Sequence, residues 1–235
     1  MSVLLLRLAG PLQSWGSAAR FARRTTETAP TKSGVIGLLA AALGRPRSAD
    51  PSDLAALRFG VRVDQRGTPV RDFQTAHNLD TGDAMPVSER FYLADAVFVA
   101  AVQGPHDQLS NLQQALKRPG FLPFLGRRSC PPSQPIDLRL RDDLDLETAL
   151  KTEQWQASDW QQWRRRKEQR VELQVLIEAN GHDGRVDTLR DQPLSFDPAH
   201  RRYGLRGVRS FPATVPNPRA SQQFEHDPTI VLRSE

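Results

Sequence analysis

Two short segments of this chain combine basic residues with glycine and hydroxyl side chains, a combination suited to binding phosphate groups. The first is Pro30-Thr31-Lys32-Ser33-Gly34, which follows the basic residues Arg20, Arg23 and Arg24. The second is Gly126-Arg127-Arg128-Ser129. Guanidinium groups form paired, charge-assisted hydrogen bonds with phosphate oxygens, and the free amides at a helix start attract anions. Both segments therefore predict contacts with a ligand that carries phosphate.

The first segment is close to the phosphate loop of nucleotide hydrolases, because Lys32-Ser33 lies at a predicted helix start as in G-x-x-x-x-G-K-[ST]. Thr26 and Thr31, however, occupy the positions of that loop's two glycines. Without these glycines the backbone does not wrap around the phosphates of a nucleotide. Nucleotide hydrolysis is therefore disfavoured, and two interpretations stay open: an anion site at the helix start, or an ordinary helix cap.

The second segment has flanking residues that favour nucleic acid. Phe121 and Phe124 precede Arg127 and Arg128, and aromatic residues beside arginines suit stacked bases and phosphates. The glycine at position 126 predicts a loop whose backbone approaches another backbone closely. The alternative is an ordinary turn with solvated arginines.

The composition bounds the class of protein. The 235 residues carry a formal net charge of +5, and 28 of the 32 basic residues are arginine, which suits phosphates and bases. No run approaches the roughly 20 apolar residues of a membrane span, and the opening apolar run is too short for a signal peptide. We therefore expect a cytoplasmic protein with no membrane association.

The metal-ligating and nucleophilic residues are sparse. Cys130 is the single cysteine, and the five histidines show no metal-ligand spacing. We therefore expect no cofactor and no metal. The arginines around Cys130 favour a reactive thiol only if a histidine lies nearby, and a small packed residue is the simpler interpretation.

The elements that must position these segments follow from hydrophobic periodicity. Short apolar runs predict strands, and segments with an apolar face predict helices, in the order β-α-β-β-α-β over residues 1–140. This order indicates an α+β fold with a ferredoxin-like (RRM-like) core. The predicted strands are residues 4–9, 59–63, 95–103 and 136–140, and the predicted helices are 33–43, with Thr31 or Ser33 as N-cap, and 107–117.

Residues 141–235 predict a small β-rich C-terminal region. Alternation over residues 171–179 indicates a strand, and residues 185–189 are its predicted hairpin partner. Trp155, Trp160 and Trp163 precede the basic run 164–170. Two interpretations of this segment stay open: a second nucleic-acid patch, or a helix that packs Trp160 and Trp163 inward while its charges stay solvated.

Several motifs, in order, resemble one protein family. They lie mainly within the first 131 residues, with a weaker match at 193–198. Together they resemble the CasD family, subunits of the type I-E CRISPR Cascade complex within the repeat-associated RNA-binding superfamily. The motifs are Leu6-Arg7-Leu8-Ala9-Gly10-Pro11-Leu12-Gln13-Ser14-Trp15-Gly16, Pro30-Thr31-Lys32-Ser33-Gly34-Val35-Ile36-Gly37-Leu38-Leu39, Arg71-Asp72-Phe73, Tyr92-Leu93-Ala94-Asp95-Ala96 and Leu125-Gly126-Arg127-Arg128-Ser129-Cys130-Pro131.

The resemblance implies a non-catalytic RNA-binding subunit. Such a subunit holds the 5′ handle of the guide RNA, caps the backbone filament and contacts the large subunit that reads the PAM of the target DNA. Its core is ferredoxin-like and carries a long β-hairpin thumb. Residues 66–93, a polar insertion between two core strands, correspond to this thumb. Because unstacked bases are the parts of RNA that proteins read best, a hooked handle suits recognition by loops.

The resemblance also suggests site residues. The expected RNA contacts are Arg20, Arg24, Thr26, Thr31, Lys32, Ser33, Arg127, Arg128 and Ser129. The expected thumb residues, contacting RNA or a neighbouring subunit, are Arg71, Phe73, His77 and Arg90.

The alternative function is a metal-independent endoribonuclease that processes CRISPR repeat RNA. Such cleavage needs a general base near the 2′-hydroxyl and a cation for the departing oxygen. Tyr92, Lys32 and His77 are the residues that could meet for this purpose. No histidine lies within either phosphate-binding segment, so the non-catalytic function is favoured.

Overall fold

A computed structural model describes residues 1–16, 23–180 and 184–221. Strands and helices alternate at first, and strands dominate the last third. The strands are β1 (Ser2–Ala9), β2 (Leu12–Gln13), β3 (Arg23–Arg24), β4 (Arg58–Gln65), β5 (Thr68–Gln74), β6 (Ser88–Ala94), β7 (Val97–Gly104), β8 (Asp137–Arg141), β9 (Arg170–Glu178), β10 (Asp187–Ser195) and β11 (Arg202–Pro216). The helices are α1 (Lys32–Ala42), α2 (Ser52–Ala55), α3 (His106–Lys117), α4 (Leu146–Thr152) and α5 (Asp159–Arg164).

The core has the ferredoxin-like topology that the sequence predicts. Its strands lie in the order β4-β7-β1-β8, all antiparallel, with α1 connecting β1 to β4 and α3 connecting β7 to β8. This is the β-α-β-β-α-β unit with its first and third strands in the centre. The chain therefore has an α+β fold with a ferredoxin-like core.

The C-terminal strands continue the core sheet. β9 pairs with β4, and the full order over the described residues is β10-β11-β9-β4-β7-β1-β8. The predicted hairpin between residues 171–179 and 185–189 is wrong, because β10 pairs with β11, and β11 pairs with β9. The 15-residue strand β11 contains Pro212 and ends in Pro216. Because proline is uncommon inside strands, the sequence pattern did not predict β11.

The boundary that the sequence suggested near residue 140 lies at the end of β8, in the core sheet. The strands beyond it share that sheet, so the C-terminal β-rich region is an extension of the core in the described structure. Its separation as a distinct region stays a prediction.

Two hydrophobic layers cover the two faces of the large sheet. On one face α1 and α3 pack through Ile36, Leu39 and Leu109 against the sheet residues Leu6 and Phe98. The opposite face packs against α4. The alternation of β1 supplies both layers, because successive side chains of a strand point to opposite faces. No helix of the described residues is long and apolar enough to cross a membrane.

A buried ion pair on the second face joins the sheet to α4. Arg62 donates to both carboxylate oxygens of Asp64 at 2.7 and 2.8 Å, and both side chains are fully buried. The same guanidinium donates to the carbonyl oxygens of Leu150, Glu153 and Gln154 at 2.6–2.8 Å. Arg62 thereby satisfies carbonyls at the end of α4 and orders the segment that follows it.

The insertion between β4 and β7 is a long hairpin, as the sequence suggests. β5 and β6 pair from Thr68–Ala94 to Gln74–Ser88, and β2 and β3 lie along the other edge of β6. The side chains of β5 are exposed along its whole length. The root of this hairpin therefore forms a small second sheet, and we call the segment 66–93 the thumb.

Candidate nucleic-acid interface

The start of α1 is closed by groups of this same chain. Thr31 is the N-cap, and its hydroxyl oxygen accepts a hydrogen bond from the amide of Gly34 at 3.3 Å. A carboxylate oxygen of Asp191 accepts from the amide of Lys32 at 2.8 Å. An anionic group thus already occupies part of the helix start, as the partial positive charge there favours.

The charge of Lys32 is likewise paired internally. Its ammonium group donates to Glu178 at 2.7 Å, and only 3% of the side chain is exposed. Burial lowers the pKa of Lys32, while the hydrogen bond with Glu178 acts in the opposite direction. Arg206 binds both oxygens of Asp191 at 2.7 and 2.9 Å, so the two cations and two carboxylates form one buried network. Lys32 has a structural role in this arrangement.

The glycine–arginine loop (Gly126–Ser129) packs against the segment that follows β2. The amide of Ser14 donates to the carbonyl of Leu125 at 3.1 Å. Gly126 has a φ of +84°, and a Cβ at this position would lie 1.8 Å from the carbonyl oxygen of Ser14. Only glycine satisfies both conditions, so the close backbone approach that the sequence predicts is present.

Trp15 joins this loop to α1. Its buried ring lies where a Cβ on Gly34 would come within 2.8 Å, and its amide donates to the hydroxyl of Thr26 at 2.8 Å. The indole nitrogen donates to Gln13 at 3.0 Å. The two segments that the sequence selected therefore lie on either side of one buried tryptophan.

Four arginines from three parts of the chain converge at the thumb root, and we call Arg24, Arg90, Arg127 and Arg128 the arginine cluster. Arg24 and Arg90 are register partners of the parallel strands β3 and β6. Arg127 donates to the carbonyl of Arg24 at 2.8 Å, and its guanidinium lies 4.7 Å from the ring centre of Tyr92. Arg128 follows directly and is exposed.

Two nitrogens of the cluster lack a hydrogen-bond acceptor. Nε of Arg90 and Nη1 of Arg127 are buried and have no partner among the described residues. Buried donors of native proteins are nearly always paired, and an unpaired guanidinium nitrogen loses hydration without compensation. A phosphate oxygen is an acceptor of suitable charge for such donors. Arg24 and Arg128, whose side chains are exposed, are the members of the cluster that an anion from solvent can reach.

Two of the remaining thumb residues lie on the opposite face of the small sheet from Arg90, because their register partners are Phe91 and Glu89. Arg71 and Phe73 are on the outer strand β5, where Arg71 lies 4.8 Å from the Phe73 ring and 3.6 Å from a Glu89 oxygen. Phe73 is 54% exposed. His77 is at the thumb tip, in an isolated bridge with Ala84. These positions suit contacts away from the arginine cluster.

The structure thus divides the predicted RNA-binding residues. Arg24, Arg127 and Arg128 lie in the arginine cluster together with the thumb residue Arg90, and Ser129 is exposed next to Arg128. Thr31, Lys32 and Ser33 are buried, and the Thr26 hydroxyl is used by Trp15. Arg20 lies outside the described residues. Contact of any of these residues with RNA stays a prediction.

Groups that could perform catalysis are poorly placed for it. Tyr92 is buried beneath Arg127, and the amine of Lys32 is bonded to Glu178. His77 is at the thumb tip. Cys130 is buried, and burial raises the pKa of its thiol. Among the described residues, no three histidine, cysteine or carboxylate side chains are grouped to hold a metal.

Sequence reasoning missed the residues that neutralise Lys32 and those that support the cluster. Glu178 and Asp191 lie in strands far along the chain, and no local pattern points to them. The aromatic platforms gave a usable signal. Phe91 and Tyr92 follow Arg90, and Arg23 lies 5.3 Å from the Phe91 ring. An alternation of arginines and aromatics on adjacent strands predicts such stacking.

Fold and surface together define a ferredoxin-like protein with a β-hairpin insertion and an exposed arginine cluster. A family described as "CRISPR-associated protein (Cas_Cas5)" matches residues 3–209. The chain therefore belongs to the Cas5 family of CRISPR-associated proteins.

Individual relatives refine this assignment. The Escherichia coli (strain K12) protein named "CRISPR system Cascade subunit CasD" is 37% identical over 171 residues, which cover 63% of this chain and 75% of that protein. A solved structure described as "CRISPR RNA-guided surveillance complex" contains a chain with 33% identity and a TM-score of 0.75, covering 94% of this chain and 93% of its own. Another, "Crystal structure of Cas protein", has 38% identity and a TM-score of 0.69, covering 94% and 98%. The resemblance to the type I-E CasD family is thereby confirmed.

Proposed function

We propose that this chain is a non-catalytic subunit of a type I-E Cascade complex that binds the 5′ handle of the guide RNA. In that role it caps one end of the backbone filament and contacts the large PAM-reading subunit. The observation that carries the proposal is the arginine cluster, in which the exposed Arg24 and Arg128 lie beside Arg90 and Arg127 at the thumb root. The relatives' names, a Cascade subunit and an RNA-guided complex, support the same role.

The geometry favours phosphate over other anions. Arg24, Arg90 and Arg127 come from separate segments that meet at the thumb root, and a nucleic-acid backbone phosphate is an anion that such arginines contact. Tyr92 and Phe91 hold the guanidinium groups of Arg127 and Arg23 against ring faces. Arginines held in this way lose less conformational freedom on binding than free surface arginines do.

Binding of the handle would leave target selection to the guide. In RNA-guided complexes, base pairing selects the sequence while the protein holds backbone and shape. The cluster offers cations and ring faces, which suit backbone and unstacked bases. The thumb, with exposed Phe73, Met85 and Val87, provides a surface that suits neighbouring subunits.

The test is binding of an RNA that carries the 5′ handle of the host's own repeat, measured by fluorescence anisotropy at two salt concentrations. Arg127→Ala with Arg128→Ala should weaken binding about tenfold or more, because two charge-assisted contacts are lost. The matched control is Arg118→Ala with Arg185→Ala, which removes the same charge from two exposed positions elsewhere.

Equal affinity of the control and cluster variants would contradict the proposal, because net charge alone would then explain binding. The alternative, an endoribonuclease, is tested with the same repeat RNA. Specific cleavage by the wild-type chain that disappears with His77→Ala or Lys32→Ala would replace the non-catalytic assignment. The buried, ion-paired amine of Lys32 argues against that result.

A further inference from the structure

A second exposed cluster of aromatic and basic residues lies on α5, far along the sequence from the arginine cluster. Trp160 and Trp163 are 61% and 56% exposed, whereas Trp155, just before the helix, is 1% exposed. Residues three apart share one helix face, so the two exposed indoles lie side by side. The interpretation in which both pack inward is wrong.

The fold fixes this orientation of α5. Gln162, between the two tryptophans, is buried and donates to the carbonyls of Trp155 and Ala157 at 3.1 and 2.9 Å. Asn217 donates to the carbonyl oxygens of Gln162 and Arg165 at 3.2 and 2.9 Å. The helix therefore buries an amide and exposes two indoles, the reverse of an ordinary surface helix.

The charge around the two indoles is strongly basic. Arg164 lies 5.2 Å from the Trp160 ring centre, and Arg166 lies 4.2 Å from that of Trp163. The nearby carboxylates are already paired, since Asp159 lies 3.2 Å from Arg219 and Glu168 lies 2.6 Å from Arg165. Arg164 and Arg166 are therefore available for an external anion, and we call them, with Trp160 and Trp163, the tryptophan patch.

We propose that the tryptophan patch is a second RNA-binding surface, which takes single-stranded RNA through base stacking on the indoles and phosphate contacts with the arginines. Exposed aromatic rings beside cations are the usual platform for single strands. The choice of RNA rests on the proposed function, and the connection of the tryptophan patch to the base of the thumb agrees with that function. Gln65, at the end of β4, accepts from the α5 cap residue Ser158 and donates to Asp95, which follows the thumb.

The surroundings of the patch favour nucleic acid over a protein partner. Protein interfaces place a tryptophan anchor inside a ring of contacts that exclude water, with charge depleted at the centre. Here the exposed residues near the indoles include Lys167 and Gln169, and the two exposed carboxylates, Asp159 and Glu168, are each ion-paired with an arginine. Charge complementarity therefore points to a polyanion.

The experiment measures anisotropy of a labelled oligouridine of about 12 nucleotides, a length within the span of known single-strand sites. The oligonucleotide lacks the handle, and all variants carry Arg127→Ala and Arg128→Ala so that the arginine cluster contributes little. Trp160→Ala with Trp163→Ala should weaken binding about tenfold or more. Arg164→Ala with Arg166→Ala should weaken it and reduce its salt dependence.

Controls separate this effect from general damage. Trp160→Phe with Trp163→Phe should retain most of the affinity, because a phenyl ring still stacks. Leu205→Ala, which truncates a 72% exposed side chain on β11, should leave binding unchanged. Thermal unfolding of each variant tests whether it is folded; Trp160 and Trp163 are exposed, so a similar midpoint is expected.

Three outcomes would overturn the proposal. The first is unchanged RNA affinity in the alanine variant, and if that variant also fails to enter the assembled complex, the patch belongs to a protein partner. The second is equal or tighter binding of DNA of the same sequence. The third is an equal loss with Leu205→Ala. Failure of handle binding in the wild-type chain would contradict the proposed function instead, and this oligouridine assay does not contain the handle.

Discussion

Lys32 and Arg128 come from segments with the same chemical signature, yet the fold gives their charges opposite environments. Lys32 begins a helix, and Glu178, Asp191 and Arg206 surround it in a buried network. Arg128 follows a glycine that holds its loop against Ser14, and its side chain is exposed. The comparison teaches that a phosphate-binding pattern in a sequence becomes a site only where the fold leaves its charges unneutralised.

The largest effect on stability should come from Arg62, a fully buried cation that, like Lys32, is paired with a carboxylate of the same chain. Arg62→Ala removes the partner of the buried Asp64 and the donor of three carbonyls. We expect the free energy of unfolding to fall by roughly 3–5 kcal/mol, because an unpaired buried charge remains. Chemical denaturation measures it. A change below about 1 kcal/mol, the range of exposed ion pairs, would contradict this assignment.

A direct contrast between the two segments comes next. Lys32→Ala should lower the free energy of unfolding by roughly 3 kcal/mol, because Glu178 loses a buried partner. Arg128→Ala should change it by less than about 0.5 kcal/mol, as expected for an exposed side chain. Urea titration of both variants, beside the wild-type chain, measures the difference. Equal stabilities would remove the distinction between the two segments.

The glycine–arginine loop, in which Arg128 is exposed, should dominate the salt dependence of RNA binding. If Arg127 and Arg128 each contact one phosphate, their double alanine variant should reduce the slope of log affinity against log salt by about 1.4. A titration of handle RNA over several salt concentrations measures this slope. The control pair Arg118→Ala and Arg185→Ala should leave it nearly unchanged, and an equal reduction in both would assign the effect to net charge.

A smaller loss of stability is expected at the start of α4, where the capping carboxylate of Asp145 is exposed. Asp145 caps α4, and the hydrogen bond from the amide of Thr148 holds the pKa of its carboxyl below the ordinary value of 3.8. Asp145→Ala should cost about 1 kcal/mol at pH 7. Since the folded pKa is depressed, this contribution is present above the unfolded pKa and is lost as the pH falls through the folded value.

Denaturation at pH 7 and at acidic pH measures that contribution, with Asp143→Ala as the control for an exposed neighbouring carboxylate. The cost of Asp145→Ala should shrink in acid, whereas Asp143→Ala should have little effect at either pH. A cost that does not change with pH would mean that the carboxylate charge has no part in capping α4. The comparison with the buried start of α1 would then lose its electrostatic basis.

Much of the fold could be predicted because its signals are local. The core strands and helices follow from hydrophobic periodicity, and the observed N-cap, Thr31, is one of the two hydroxyl residues that the sequence offered for this position. The pairing of β10 could not be predicted, because the nearest strand in sequence is β9, while the sheet places β11 between them. The intervening strand, β11, was not predicted because its prolines are untypical of a strand.

The candidate site was predictable only in part. The conformational need for Gly126 is local, and the neighbouring arginines Arg127 and Arg128 were found for this reason. The convergence of Arg24 with Arg90 depends on a parallel pairing between β3 and β6, which a linear pattern does not indicate. The exposure of Trp160 and Trp163 likewise depends on the buried hydrogen bonds of Gln162.

The sequence by itself determined the order of the core elements and narrowed the α1 cap to Thr31 or Ser33, because each depends on nearby residues. The tertiary structure decided which cations remain available. Glu178 and Asp191 lie 146 and 159 residues from Lys32, and they neutralise it because the sheet extension places them there. A charge acts on its surroundings through distance in space, which the fold sets.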